Sequence, residues 1–218
     1  MYILGITAGG ESGVALFKKN KLISGSNEER FSRKKLDTSF PHQSLKWILQ
    51  SNNLSASDID LITYGFSNPS EDDLKSMKKQ FRHLNDQYIK IMEERIYQEK
   101  RVDKQHRKIF LQNVEKYFGK KVSVKRYEHH PSHIASAYVP SGFKKALVIS
   151  SDGRGDFNSL VIGVAEPDKF TPLYASPSWN SFGYYYGRLT GLCGFTPNRH
   201  EGKVTGLAAS GNPDKAYD

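Results

Sequence analysis

The sequence predicts an α/β fold made of two similar halves. Apolar strand patterns alternate with polar, glycine-containing loops in both halves of the 218-residue chain. Each half has the order strand, loop, strand, tight turn, strand, which indicates a duplicated unit. A stretch with helical spacing of apolar residues separates them. We therefore expect a first lobe at 1–143, with inserted basic helices at 70–118, and an incomplete second lobe at 144–218.

The first half begins with three predicted strands and a helix. The strand patterns are Tyr2 to Thr7, Val14 to Phe17 and Leu22 to Ser26, separated by a Gly9-Gly10 turn and a polar turn at Lys18 to Lys21. Pro41 suits the first turn of a helix, because no partner is needed there for its missing N–H group. The apolar stripe of this helix is Leu45, Ile48 and Leu49. Ser57 resembles an N-cap before a strand at Leu61 to Tyr64.

A long amphipathic helix is predicted from Glu71 onward, because apolar residues recur there at alternating steps of three and four. They are Leu74, Met77, Phe81, Leu84, Tyr88 and Ile91, which we expect to face the core. A second helical run, Ile109 to Phe118, ends at Gly119, a residue typical of a helix C-terminus. Alternation at Val122, Val124 and Tyr127 predicts a further strand.

The second half repeats the opening pattern. Ala146 to Ser150 reads as a buried strand that runs into a turn-forming loop, Asp152 to Gly155. Two more strand patterns and a helical run follow, at Leu160 to Val164, Leu173 to Ala175 and Ser181 to Leu192. The further strands of the first half have no counterpart here, so the second lobe is predicted to be unfinished.

Charge is concentrated in one part of the chain. The chain has 32 Lys and Arg against 23 Asp and Glu, a net charge of +9, and residues 70–126 hold 16 basic and 9 acidic residues, or +7. Such a segment attracts an anionic partner or forms a solvated helical face; the interspersed acids favour the second interpretation. The single cysteine, Cys193, excludes an intramolecular disulfide and is interpreted as a small buried side chain. No apolar run is long enough to cross a bilayer, so a cytoplasmic protein without a membrane partner is expected.

Histidines provide the sharpest chemical signal. His129 and His133 are four residues apart, a spacing that places both imidazoles on one face of a helix and allows them to share a metal ion. Pro131 biases the preceding residue away from helical geometry, which leaves His129 near or just outside the helix start. Asp152 follows a predicted strand and would add a carboxylate. Two imidazoles and one carboxylate suit iron, zinc or manganese.

Two further segments suit anions. The first, from Asn27 to Asp37, places Arg30 and Lys35 after a strand, where they could grip a carboxylate or phosphate; an exposed charged loop is the alternative. The second, from Asn198 to Gly211, contains glycines whose backbone amides could cradle an oxyanion beside Lys203. Its spacing is not that of a P-loop.

Four of these segments together resemble the carbamoyltransferase family of NodU and TobZ. In family order they are EERFSRKKLDTSFP from Glu28, HHPSHIASAY from His129, SSDGRGD from Ser150 and NRHEGKVTGLAASG from Asn198. The resemblance implies an actin-like ATPase fold of tandem ribonuclease-H-like lobes, which is shared with the transferase that makes threonylcarbamoyl adenosine in tRNA.

The resemblance also implies an activity and its site. A C-terminal YrdC-like domain of the family makes carbamoyl adenylate from ATP and carbamoyl phosphate, and the N-terminal domain transfers the carbamoyl group to an acceptor hydroxyl. His129, His133 and Asp152 match metal ligands, with iron the expected ion, and Lys35 matches a lysine of the transfer site. The residues of the four segments that are expected to bind substrate or nucleotide are Arg30, Gly153, Gly155, Glu201, Gly202 and Lys203.

The resemblance has two departures. The family has a His-Asp pair after the first strand where this chain has Gly10 and Glu11, and its remaining metal ligand and the YrdC-like domain are expected beyond Asp218. The adenylating domain is therefore expected as a partner in cis or in trans. The alternative is a non-catalytic metal- or anion-binding module of the same fold, which could use the basic helices to bind RNA; the carbamoyltransferase interpretation requires no nucleic-acid partner.

Overall fold

The chain forms two compact units, Met1–Ser132 and His133–Asp218. The computed structural model describes residues 1–65, 75, 77–79, 81–119 and 122–216. The division between the units falls within one continuous helix, His129–Ser141. The predicted assignment of 1–143 and 144–218 to two lobes stays a prediction.

A five-stranded sheet forms the centre of the first unit. Its strands are β1 (Tyr2–Thr7), β2 (Gly13–Lys18), β3 (Lys21–Asn27), β4 (Leu61–Tyr64) and β5 (Ser123–Arg126), in the order β3-β2-β1-β4-β5. The first three pair antiparallel, whereas β4 runs parallel to β1 and β5 parallel to β4. The carboxyl ends of β1 and β4 therefore lie side by side at one edge of the sheet, where α/β proteins usually bind ligands.

Among the residues that the structure describes, the helices α1 (Glu29–Ser32), α2 (His42–Ser51) and α3 (Asp86–Phe118) accompany this sheet. The apolar stripe predicted for α2 is confirmed, because Leu45 and Ile48 are completely buried. Pro41 is the N-cap of α2, one residue before the predicted position. Alternate residues of the strands, such as Leu4, Leu16 and Ile62, are also completely buried and pack with α2 and the end of α3 in one core.

The predicted long helix through Ile91 is wrong in its bounds. Phe81 to Leu84 form a turn, and Asn85 starts a new helix because its extended backbone lets its side chain accept a hydrogen bond from the Tyr88 N–H at 3.1 Å. Tyr88 and Ile91 are more than half exposed, so they do not form a core stripe. The run at Ile109–Phe118 is the end of α3 rather than a separate helix, although its predicted end at Gly119 is confirmed. Glu71 and Leu74 lie outside the described residues.

A three-stranded antiparallel sheet forms the second unit, with three helices along the chain. The elements are α4 (His129–Ser141), β6 (Ala146–Gly155), β7 (Asn158–Glu166), β8 (Lys169–Pro177), α5 (Phe182–Leu192) and α6 (Glu201–Ala208). Ile134 of α4 packs with Val161 and Ala165 of β7 in a small core. Leu147 and Ile149 of β6 remain 65% exposed.

The prediction of a turn at Asp152 to Gly155 is wrong. These residues continue β6, and the pairing with β7 becomes irregular after Ser151. The chain reverses at Asp156 and Phe157, which both have positive φ, between the paired residues Gly155 and Asn158. This two-residue hairpin needs left-handed backbone at both positions. Glycine is the usual signal for such backbone, and the glycines lie elsewhere, so the sequence pattern placed the turn too early.

Two smaller interpretations are also wrong. Ser55, not Ser57, is the N-cap of the short 3₁₀ helix Ala56–Asp58, because it forms a reciprocal capping box with Asp58. Cys193 is exposed rather than buried, since it follows the last residue of α5.

The predicted fold class is confirmed: α/β, with the strand order and directions of a ribonuclease-H-like lobe in the first unit. The sheet of the second unit repeats the opening three-stranded meander. In the part of the chain that the structure describes, no helix has the length and apolar character to cross a bilayer.

Candidate metal centre and transfer site

The charged segment after β3 is held by two buried carboxylates. Glu28 is 3% exposed and accepts hydrogen bonds from the backbone N–H groups of Gln43 and Ser44, at 2.9 and 2.8 Å. These are N–H groups of the first turn of α2, which have no partner within the helix. A negative charge is also favourable at a helix N-terminus. Glu28 therefore joins the charged segment to α2.

Asp37 closes the other end of this segment. Its Oδ1 accepts hydrogen bonds from the Ser39 hydroxyl at 2.7 Å and the Ser39 N–H at 3.0 Å. Hydrogen bonds from the Ser39 hydroxyl, the Ser39 N–H and the Ser32 hydroxyl lower the pKa of Asp37 to about 2. The backbone carbonyl of Asp37 accepts from Ser12 N–H at 2.9 Å, which ties the segment to the residue before β2.

Lys35 lies on the exposed turn between these two anchors. Its ammonium group is 3.1 Å from Glu29 Oε1, and its side chain is 80% exposed. The second oxygen of Glu29 accepts from Leu36 N–H at 3.0 Å, and the pKa of Glu29 is lowered by this bond and by the Lys35 ammonium. Arg33 and Leu36 have positive φ, a backbone conformation that is uncommon for such residues. Arg30 is exposed on α1.

Helix α4 carries the predicted histidine pair. His129 is its first residue, so both His129 and His133 belong to the helix, and Pro131 occupies the first turn. His133 Nε2 lies 3.5 Å from Asp152 Oδ2. Ligand atoms of His129, His133 and Asp152 all lie within 4.8 Å of one another. The structure thus brings together the three predicted ligand side chains.

This geometry fits a bound ion. Two ligands of a tetrahedral ion, each at about 2.1 Å from it, are about 3.4 Å apart, which matches the separation of His133 from Asp152. His129 Nδ1 is 3.2 Å from the carbonyl oxygen of Gly65. A metal-binding histidine usually donates its other ring N–H to such a carbonyl, which leaves Nε2 for the ion.

Asp152 is held in place by the next residue of β6 and by the N-cap of α5. Its Oδ1 accepts from Gly153 N–H at 2.6 Å, and its backbone carbonyl accepts from the Ser181 hydroxyl at 3.3 Å. A side chain at Gly183 would place its Cβ 2.8 Å from the Gly153 Cα, so only glycine permits this close approach. Sequence reasoning missed Gly183, because one glycine in a helical pattern does not show which backbone it meets.

The glycine-containing run from Asn198 to Gly211 includes helix α6, so its free backbone amides are expected in the first turn of that helix rather than in its interior. Glu201 Oε1 accepts from Asn198 N–H at 2.6 Å. Gly202 and Lys203 are exposed in the first turn, and the Lys203 ammonium lies 5.9 Å from the Phe195 ring centroid. The predicted anion-binding roles of these residues, and of Gly153 and Gly155 on β6, stay predictions.

The chain has relatives among nodulation proteins. Nodulation protein NolNO of Sinorhizobium fredii is 28% identical over 213 residues, which are 93% of this chain and 28% of that protein. Nodulation protein NolO of Bradyrhizobium diazoefficiens is 40% identical over 90 residues, or 40% of this chain and 16% of that protein. The uncharacterized protein sll1178 of Synechocystis is 30% identical over 97% of this chain and 35% of its own length.

The chain therefore spans about a third or less of the length of these curated relatives. Among solved structures, YeaZ from Pseudomonas aeruginosa is similar with a TM-score of 0.42 and 12% identity, over 81% of this chain and 66% of that one. The family described as carbamoyltransferase N-terminus matches residues 2–217. Because this match includes all four motif segments, the chain belongs to the carbamoyltransferase N-terminus family.

Proposed function

We propose that this chain is the transfer part of a metal-dependent O-carbamoyltransferase, which moves a carbamoyl group from carbamoyl adenylate to a hydroxyl group of a small-molecule or sugar acceptor. The convergence of ligand atoms from His129, His133 and Asp152 is the observation that carries the proposal. Family membership supports carbamoyl transfer, and a set of two imidazoles and one carboxylate suits iron.

The donor requires a second active site. Carbamoyl adenylate is made from ATP and carbamoyl phosphate, and we assign this step to a YrdC-like domain, present in the same polypeptide or in a partner. The dependence on ATP and carbamoyl phosphate favours the cytoplasm.

The transfer step is an acyl substitution. The acceptor oxygen forms a bond to the carbamoyl carbon, the bond from that carbon to the phosphate oxygen breaks, and AMP leaves with the electron pair. The acceptor hydroxyl loses its proton to a base, because an uncharged alcohol is a poor nucleophile near neutral pH. Negative charge grows on the carbonyl oxygen and then on the leaving phosphate, so positive groups near both accelerate the step.

Residues of this chain would supply that environment. A bound metal ion would polarise a carbonyl oxygen or lower the pKa of a hydroxyl group. The Gly65 carbonyl orients the His129 imidazole, and Gly153 N–H holds Asp152. Lys35 would neutralise an anionic oxygen. Its side chain is exposed, and the next residue, Leu36, has a positive φ, so Lys35 lies on a turn that is open to solvent.

A non-catalytic binding module remains a second candidate because of Gly10. This residue occupies the place of the family's histidine, and a Cβ added there would meet no atom within 4 Å among the described residues. The described residues therefore leave room for a Cβ at this position, yet the chain has glycine there. A module of this kind would retain the metal and release no AMP from carbamoyl adenylate, and binding of RNA to its basic helix would weaken steeply with salt.

The proposal is tested by supplying carbamoyl adenylate to the 218-residue chain with iron and, in turn, methyl glucoside, N-acetylglucosamine or an aminoglycoside. We expect AMP release and a carbamate product, measured by chromatography and mass spectrometry. His133→Ala should lower the rate at least about 100-fold, because charge stabilisation of this kind contributes that much. His83→Ala, an exposed histidine in the turn before α3, is the matched control. Wild-type release of AMP no faster than that of His133→Ala, with every acceptor and with water, would overturn the proposal.

A further inference from the structure

A cavity of about 300 Å³ lies in the first unit, at the carboxyl end of β1. Its walls come from the loop after β1, the residues that follow the charged segment, and helix α3. The lining residues that matter here are Gly9, Thr38, Phe40, His106, Ile109 and Phe110. The volume is at the lower end of the range for small-molecule sites.

The cavity combines an apolar surface with few polar groups. Phe40 and Phe110 are 6% and 5% exposed, and their ring centroids are 6.0 Å apart. Ile109 adds a partly exposed aliphatic wall, and Thr38 and His106 contribute a hydroxyl and an imidazole. An apolar surface with a small number of placed polar groups is typical of small-molecule sites.

The backbone after β1 makes room for the imidazole. Gly9 has φ +94, and a Cβ there would lie 3.2 Å from His106 Nδ1. Gly9 N–H also donates to the Thr38 carbonyl at 3.0 Å, which holds the loop against the charged segment. Among the described residues, no side chain forms a hydrogen bond with the exposed His106 ring. Its exposure makes the imidazole accessible to a small molecule.

The cavity lies next to a proposed metal ligand of the same unit. Phe110 packs on Tyr64, the last residue of β4, with ring centroids 4.5 Å apart. The next residue, Gly65, contacts His129 through its carbonyl oxygen. Since β1 and β4 are neighbouring parallel strands, the cavity and His129 lie at the same edge of the sheet. Binding sites of α/β sheets usually occur at this edge.

We propose that this cavity binds the hydroxyl-bearing ring of the acceptor and that His106 hydrogen-bonds to that hydroxyl group. The identification of the ligand as the acceptor rests on the proposed carbamoyl transfer. The ring packs on Ile109 and Phe110, and His106 selects ligands that carry a hydroxyl group over apolar rings of the same size.

The site can be tested without metal or donor. The chain is labelled with ¹⁵N-histidine and titrated with cyclohexanol, methyl glucoside and N-acetylglucosamine, with methylcyclohexane as the ring without a hydroxyl group. We expect saturable shifts of the His106 ring signals with at least one hydroxylated ring and weaker binding of methylcyclohexane. No shift at His106 with any of the three hydroxylated rings overturns the inference.

Two tryptophan variants distinguish binding in the cavity from binding elsewhere on α3. Ile109→Trp fills the cavity and should abolish the shifts, whereas Leu111→Trp, an exposed position of α3 outside the cavity lining, should leave them. His106→Gln keeps a hydrogen-bonding group but loses the imidazole geometry, and should weaken binding about five-fold, as measured by ligand-detected NMR. Unchanged affinity in both Ile109→Trp and His106→Gln contradicts the assignment.

The transfer assay distinguishes this inference from the proposed function. Ile109→Trp should raise the KM for the acceptor, whereas Leu111→Trp, outside the cavity lining, should leave both that KM and the hydrolysis of carbamoyl adenylate by water unchanged. If the wild-type chain binds the probes but releases no AMP, the proposed function fails and the cavity remains a binding site. If transfer proceeds with the same acceptor KM in Ile109→Trp, only the assignment of the cavity to the acceptor fails.

Discussion

At the scale of single residues, two acids of the EERF segment hold structure rather than perform chemistry. Glu28 caps α2 across 15 residues of sequence, and Asp37 binds Ser39 within a local turn. The density of charged residues singled out the segment from Asn27 to Asp37. It could not show which groups would hydrogen-bond to Glu28 and Asp37. The local turn at Asp37 agrees with known Asp preferences, whereas the partner of Glu28 depends on the folded sheet.

The contribution of the Asp37 carboxylate to stability can be tested by measuring how the stability of Asp37→Asn depends on pH. Its pKa is about 2 rather than 3.8 because of the hydrogen bonds from Ser39 and Ser32. A carboxyl group whose pKa is lower in the folded protein than in the unfolded chain stabilises the fold at pH values above its unfolded pKa. For Asp37 this contribution is lost as the pH falls through about 2. We therefore expect Asp37→Asn to be less stable than wild type at pH 7, with a difference that shrinks below about pH 3.8.

Urea denaturation at several pH values measures this difference. Asp168→Asn, in the exposed turn before β8, is the control and should change stability little. A difference between Asp37→Asn and wild type that is the same at pH 7 and pH 3 would show that the charge of Asp37 has no role.

At the scale of elements, periodic patterns predicted which strands and helices exist better than where they begin. The strand at Leu61–Tyr64 and the helix end at Gly119 agree with the structure. The start of α3 does not, since the stripe of apolar residues runs through Asn85 without a break in spacing. Local capping by Asn85 outweighs that periodicity, and Tyr88 and Ile91 in the helix that follows are exposed.

The cap at Asn85 makes a prediction for α3. Asn85→Ala removes the acceptor for Tyr88 N–H and should lower the free energy of unfolding by about 1 kcal/mol. Asn85→Asp preserves the acceptor and should remain close to wild type. The comparison uses urea denaturation followed by circular dichroism. Equal stability of Asn85→Ala and Asn85→Asp would mean that the helix start is fixed by packing alone.

At the scale of the whole molecule, the sequence predicted the ligand set but not the cavity. His129 and His133 are recognisable from their spacing on one helix, and the family motifs add Asp152. His106, in contrast, has no second histidine at such a spacing. Its spacing from Phe110 and Val114, in steps of four, is a core-facing signal that could have drawn attention to it. Its contact with Gly9 joins segments nearly a hundred residues apart, which no local pattern reports.

Metal content tests the central assignment most directly. The purified chain, incubated with ferrous iron under anaerobic conditions and desalted, is analysed by inductively coupled plasma mass spectrometry beside His129→Ala, His133→Ala, Asp152→Ala and the control His83→Ala. We predict about one iron per chain in wild type and His83→Ala, and a loss of at least about ten-fold in affinity for each ligand variant. Wild-type protein without bound metal, or the same metal content in all of the variants, would contradict the assignment.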